Sequence, residues 1–189
     1  MEKSDQELIS ETLNGILGSF DMLMERYQRL VYKVAYGFGK NQQSTMDISQ
    51  NVFLKAYEKL SSFRGESSFK SWLMRITYNE GINWSKRNNR HQESDIDEAS
   101  MKNQYKDLSQ EDELLARENR AQLLKCLLAL NTRYRLAVVL RYFNDMPVRE
   151  IAGVLECSEG VVKNMLFRSL QQLKNNLSRV SLGGIDGTL

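Results

Sequence analysis

PVREIAGVLECSEGVVKNMLFRSLQQLKNNL, residues 147 to 177, reads as two short helices joined by a tight turn. Ile151, Ala152 and Leu155 make an apolar stripe, Glu156, Cys157 and Ser158 interrupt it, and Val162, Leu166, Leu170, Leu173 and Leu177 resume it at helical spacing. Small Ala152 lets two helices approach closely, Pro147 suits a first helical turn, and Ser158 suits the cap of the second helix. The pattern is that of a helix-turn-helix. The opposite face of the second helix carries Gly160, Lys163, Asn164, Phe167, Arg168 and Gln171. Lys and Arg can pair with phosphates or guanine edges, Asn can read adenine, and an outward Phe can touch a thymine methyl. An ordinary amphipathic helix with a solvated face shares this periodicity. Phe167 favours the DNA-reading alternative, because a large apolar side chain on a polar strip usually has something to touch.

The chain has 189 residues, enough for one ordinary domain or two small ones, and its 41% hydrophobic and 26% charged content is that of a globular protein. A single Pro, few alternating Val/Ile/Thr runs and many stretches of helical period predict an all-α fold. No apolar run approaches the ~18 residues that cross a bilayer, and the N-terminal segment is acidic and polar, so the expectation is a cytoplasmic protein without membrane insertion. Cys126 and Cys157 lie far apart and outside any paired-thiol motif, which predicts two reduced thiols. His91 is the only histidine, and there is no clustered Cys and no Gly-rich phosphate loop. A metal site, a His-based catalytic residue set or a nucleotide cofactor therefore has little to build on, and no enzyme is expected.

Net charge is only +2, but it is sorted along the chain. Residues 20 to 90 hold twelve Lys/Arg against six Asp/Glu, residues 121 to 179 hold nine against four, and residues 91 to 120 between them hold nine acids against four bases. Two basic blocks around an acidic connector suit a polyanion-binding protein with two contact modules.

The helical pattern divides the chain in the same way. Ser4 and Glu7 have capping-box spacing before a short helix that ends near Gly15 or Gly18. A long helix follows from Phe20 to Phe38, stopped by Gly37 and Gly39; a third begins after the polar loop Lys40 to Thr45 and runs to Leu60. Phe69, Trp72, Leu73, Ile76 and Ile82 carry a fourth to about Arg90. The expected domains are thus an N-terminal helical unit over residues 1–90, a flexible acidic linker over 91–114, a four-helix C-terminal unit over 115–180 and a tail over 181–189. In the N-terminal unit, residues 63 to 90 interleave Phe63, Phe69, Trp72, Tyr78 and Trp84 with Arg64, Lys70, Arg75, Lys86, Arg87 and Arg90. Unstacked bases stack on aromatic faces while cations follow the backbone, so this segment can hold a separated strand. Phe69 is better read as core; Phe63, Tyr78 and Trp84 fall off the stripe or in the loop and are expected to be exposed. Together the two units suggest a protein that recognises duplex DNA and opens it nearby, driven by capture of flipped bases or by a partner machine. A stand-alone helix-turn-helix regulator with an N-terminal oligomerisation or sensing domain, or an adaptor binding only proteins, fits the same residues.

Residues 47 to 57, DISQNVFLKAY, resemble the D-x-x-Q-E-x-F-x-x-A-Y segment of the extracytoplasmic-function (ECF) sigma factors of bacterial RNA polymerase. FRGESSFKSWL, residues 63 to 73, is similar to that family's F-x-G-x-S-x-F-x-x-W-L, and Ile76 to Asn79 to its I-A-x-N. Glu150-Ile151-Ala152, Ser158, Gly160, Val162-Lys163 and Arg168 resemble its C-terminal pattern E-I-A…S-x-G-x-V-K-x-x-x-x-R. The resemblance implies a sigma factor that binds core polymerase, recognises a promoter and promotes strand opening. It implies that Asp47, Gln50, Asn51 and Phe53 dock on the coiled coil of the β′ clamp. It puts Lys55, Tyr57, Phe63, Arg64, Ser67, Ser68, Trp72, Arg75, Tyr78 and Asn79 at the minus-ten element, where a flipped base is held. It puts Arg149, Ser158, Lys163, Asn164, Phe167 and Arg168 at the minus-thirty-five element in double-stranded form, with the β flap and an anti-sigma factor as further partners. Three positions depart from the family pattern. Asn51 stands for an acid and alters one clamp contact, Met165 stands for a frequent Arg and removes a phosphate contact, and Glu156 stands for a turn Gly. If that turn requires φ > 0, Glu156 costs roughly 1 kcal/mol.

Overall fold

Ser4 opens the first helix through the reciprocal pair its spacing predicts: its backbone N–H donates to the Glu7 carboxylate at 2.7 Å, and the Glu7 N–H donates to Ser4 Oγ at 3.3 Å. That backbone bond holds the Glu7 carboxyl below its ordinary range. In the computed structural model, which describes residues 3–39, 41–88 and 110–183 (without the side chains of 110–118, 120 and 179–183), every regular element is helical. His91, residues 91–109 of the expected linker and the last residues of the tail lie outside the described residues.

The N-terminal unit consists of α1 (Asp5–Leu13), α2 (Ser19–Gly39), α3 (Gln42–Glu58), a 3-10 turn (Leu60–Ser62) and α4 (Phe69–Asn88). Asp5 on α1 accepts hydrogen bonds from Arg26 and Tyr27 on α2, clamping the short helix to the long one. Burial, and then that bond to Asp5, push the Tyr27 hydroxyl well above its usual range. Leu23, Leu30, Val31, Val34 and Phe38 of α2 meet Ile48, Val52 and Ala56 of α3 and Phe69, Leu73 and Met74 of α4 in one buried core. α3 starts at Gln42, inside the segment expected to be loop, because the Asn41 side chain caps it by accepting from Ser44 N–H at 2.9 Å.

The C-terminal unit consists of α5 (Gln110–Ala129), α6 (Thr132–Tyr142), α7 (Val148–Leu155) and α8 (Glu159–Gly183). α5 begins inside the stretch that composition assigns to the linker. α7 and α8 are the two helices of the helix-turn-helix. Pro147 lies one position outside the first turn, at the N-cap of α7. Between the helices Glu156 adopts φ +52° and ψ +52°, so the turn does require the left-handed region in which this family pattern uses glycine. Ser158 caps α8 by accepting from Val161 N–H at 3.4 Å. The buried face of α8 differs from the leucine stripe: Leu170 is 45% exposed, and Met165 and Ser169 are buried instead. At 3.6 residues per turn the inward positions are 162, 165, 166, 169 and 173, and small Ser169, donating to Met165 O at 2.7 Å, lets α8 lie close to α6.

The two units are packed together, α4 on α7 and α2 on α6. At the second junction Arg135 of α6 is 4% exposed and donates to the carbonyls of Leu128, Leu130 and Gly37. Those carbonyls belong to the C-terminal ends of α5 and α2, so the partial negative charges of two helix ends replace a counter-ion.

A Cβ at Gly81 would lie 2.3 Å from the Phe38 ring, whereas one at exposed Gly153 of α7 would meet nothing within 4 Å. Gly81→Ala is expected to lower stability by about 1–3 kcal/mol through the displaced ring, and Gly153→Ala to raise it by up to about 1 kcal/mol through helix propensity. Glu156→Gly is expected to stabilise by about 1 kcal/mol at most, since it relieves the left-handed backbone while losing only an exposed ion pair with Arg75. Urea unfolding of the three variants gives these signs directly.

Candidate nucleic-acid interface

α8 is held outward by its own core. Val162, Met165, Leu166, Ser169 and Leu173 are buried, which turns Lys163, Asn164, Phe167 and Arg168 to solvent on one side of the helix. Phe167 is 63% exposed, an apolar ring amid polar neighbours. Arg149, on the first turn of α7, and Ser158, in the turn, are exposed as well. α7 is set against α6 by Arg133, whose guanidinium donates to Leu155 O at 2.7 Å, so the angle at which α8 is presented is braced from behind. Met165 is 7% exposed and packs inward. In this chain the position therefore serves the core.

The minus-ten candidates are distributed over α3, the loop after it and α4. Phe63 is half-buried, with its ring 5.8 Å from Phe69 and 5.4 Å from Trp72, and Tyr27 lies 5.5 Å from Phe69 on the other side. Phe69 is core, as read from its stripe. Tyr78 corrects the expectation of exposure: it is 9% exposed, its ring 6.2 Å from Phe38, because position 78 turns toward α2 while Trp72, Arg75 and Asn79 share the outer face. Trp84 and Phe63 are likewise only partly open. Tyr57 is the aromatic candidate most exposed in this region, in edge contact with Phe20 at 5.0 Å. Lys55 is engaged in an ion pair with the buried Glu80. Arg64, Ser67 and Ser68 are exposed around Gly65, whose φ of +72° makes the loop turn. A cleft of about 230 Å³ opens there, lined by Phe63, Gly65, Ser67, Ser68 and Phe69 on one side and by Ser4, Asp5, Gln6 and Ile9 on the other. It has the size and the mixed apolar and hydroxyl lining that suit a single unstacked base. The contribution of α1 to that cleft had no signal in the local sequence pattern, since it arises from the Asp5 clamp on α2.

The remaining candidates lie on α3. Asp47, Gln50 and Asn51 are exposed and line a shallow groove of about 470 Å³ with Leu54, Trp84, Arg87 and Asn88. Phe53 does not line it; it is half-buried against the core and supports the helix from beneath. Leu54, 62% exposed, was missed by pattern reading, because an outward Leu is unremarkable until the groove around it is known, and Arg87, read among the cations of residues 63 to 90, lines this groove. The two cysteines are unpaired, Cys126 buried and Cys157 half-buried. Among the described residues no cluster of His, Cys, Asp and Glu could hold a metal ion, and no helix is long and apolar enough to cross a membrane.

Two family models match in chain order: Sigma-70 region 2 over residues 23–91 and Sigma-70 region 4 over residues 120–173. The RNA polymerase sigma-H factor of Pseudomonas aeruginosa is 30% identical over 183 residues, spanning 93% of this chain and 95% of that protein. The ECF RNA polymerase sigma-E factor of Escherichia coli is 29% identical over 181 residues, spanning 92% and 94%. Among solved structures, the fold is similar to that of CnrH in complex with the cytosolic domain of CnrY, with a TM-score of 0.67 at 23% identity over 94% of this chain and 99% of the other. It is also similar to the sigma factor RpoE in complex with the anti-sigma factor NepR from Bartonella quintana, with a TM-score of 0.69 at 22% identity over 86% and 98%.

If the α8 strip meets DNA, Lys163→Ala is expected to weaken duplex binding across sequences and to lower the salt slope by about one unit. Phe167→Ala is expected to flatten preference at one base pair with the slope unchanged. Titrations of an upstream-element duplex at a series of salt concentrations separate the two effects.

Proposed function

The chain belongs to the ECF group of sigma-70-type RNA polymerase sigma factors, and from that premise we propose how its two units divide the work. The region-4-like unit reads the minus-thirty-five duplex through Lys163, Asn164, Phe167 and Arg168, with Arg149 and Ser158 fixing its position on the backbone. The carrying observation is the outward strip on α8, polar and cationic around one exposed ring, on a helix whose other face is core. An α-helix fits the major groove, where such side chains distinguish base pairs.

The region-2-like unit holds the opened minus-ten strand. A base leaving the stack enters the cleft beside Phe63, Ser67 and Ser68, and Asn79, Trp72 and Arg75 on the outer face of α4 follow the strand. Stacking on an aromatic face offsets part of the cost of unpairing. The chain has no need of chemistry of its own: captured bases and the polymerase supply the free energy, and the sigma factor acts as a non-enzymatic specificity subunit without a cofactor. Asp47, Gln50 and Asn51, with Leu54 and Trp84 beside them, form the docking groove for the β′ clamp coiled coil. The C-terminal unit meets the β flap, and an anti-sigma factor restrains the whole in the cytoplasm until it is needed. The complexes of CnrH with CnrY and of RpoE with NepR support that last element by analogy.

Transcription in vitro with core polymerase over fragmented genomic DNA, followed by sequencing of the starts, tests the reading as a whole. Defined starts that depend on the chain are expected, and none at any promoter of a matched genome would overturn it. Asn79→Ala, at an exposed position, is expected to slow strand opening more than closed-complex formation. Equal effects on both steps, followed with a fluorescent base at the opened position, would remove Asn79 from the strand-holding face.

A further inference from the structure

Glu80, 5% exposed, is the only buried acid among the described residues. It sits on α4 between Asn79, which faces solvent, and Gly81, which lies against the Phe38 ring of α2. From α3 the Lys55 ammonium donates to Glu80 Oε1 at 2.5 Å, joining two positions 25 residues apart in the chain. Among the described residues no other group is hydrogen-bonded to that carboxylate. The pair is one-sided: the Glu80 side chain is 7% exposed and that of Lys55 41%. The acid therefore cannot follow the lysine into water, and the lysine can leave only by stripping a desolvated charge of its partner, which is strongly unfavourable. A phosphate at the solvated surface returns less, because water and salt screen an exposed ion pair.

We propose that Glu80 is a positioning residue that withholds Lys55 from the opened promoter strand. It turns the ammonium inward as a strut between α3 and α4, so the cation that the resemblance puts at the minus-ten element makes no phosphate contact in this chain. Glu80 thereby sets how tightly the region-2-like unit holds unpaired DNA. The proposal rests on the reading of the outer face of α4 as strand-holding, and Asn79, the neighbour of Glu80 on that face, places the pair beside it. One cation fewer on the strand makes the hold weaker and less dependent on salt by one phosphate contact. Freeing Lys55 while keeping the fold should restore that contact.

The test uses the full chain in complex with core polymerase and measures binding to a promoter fragment pre-melted over the minus-ten element at a series of salt concentrations. Glu80→Gln is expected to bind roughly fivefold tighter at about 0.1 M salt, with the advantage shrinking as salt rises, because one added phosphate contact to a single strand steepens the slope by about 0.7. The double variant Lys55→Gln/Glu80→Gln, which keeps a neutral hydrogen-bonding pair between the helices, is expected to match the unsubstituted chain in affinity and slope. Circular dichroism reports whether each variant is folded. A folded Glu80→Gln chain with unchanged affinity and slope would overturn the proposal. So would a double variant whose slope is shallower than that of the unsubstituted chain, since Lys55 would then already be on a phosphate; this comparison stands even if Glu80→Gln alone does not fold. Arg75→Ala in the same assay separates the causes of failure. If it lowers the slope while Glu80→Gln changes nothing, only the role of Glu80 is lost; if it has no effect, the strand-holding reading falls and takes the proposal with it.

Discussion

A buried cation with no carboxylate partner among the described residues organises this molecule. Desolvating a guanidinium is costly, and burial pushes the Arg135 pKa down to about 10, which still leaves it charged at neutral pH. The compensation comes from backbone carbonyls at the C-terminal ends of α5 and α2, groups that have no partner within their own helices. Gly37 makes this possible by having no side chain, since a Cβ there would approach Arg135 Nε to 3.2 Å. Nε itself has no hydrogen-bond partner, so the site is not fully compensated. The result is that one side chain on α6 positions the last turn of α2, the last turn of α5 and, through neighbouring Arg133 and the Leu155 carbonyl, the end of α7.

From that constraint follows an asymmetry between the two candidate surfaces. The α8 strip points away from α6 and is open. The outer face of α4 is partly covered, because the packing of α2 on α6 brings α7 against it. The strip on α8 is open to solvent, whereas Ser68, Ser71 and Arg75 are engaged by Glu150 and Glu156.

The helices and the strip were legible because their signals are local. The Ser4/Glu7 capping box, the glycines that close α2 and the apolar period of α7 and α8 all act within one or two turns. Where the reading erred, a neighbour decided. Tyr78 has the composition of a stacking residue, but α2 presents Phe38 to that side of α4 and the ring is buried. Leu170 continues the leucine spacing, yet Ser169 takes the inward place because α6 lies too close for a larger residue. The groove flanked by Leu54, Trp84 and Arg87 joins residues about thirty positions apart and has no linear signature.

By itself the order of residues determined an all-helical chain of two basic units, the helix-turn-helix and the outward cationic strip, because each depends on periodicity, capping or charge inside a single segment. Only the tertiary structure decided that Met165 serves the core, that α1 walls the cleft beside Phe63, and that Glu150 and Glu156 lie on Ser68, Ser71 and Arg75. Those outcomes depend on contacts between segments as many as 82 positions apart, which are settled by the packing of whole helices and by where one buried arginine finds its carbonyls.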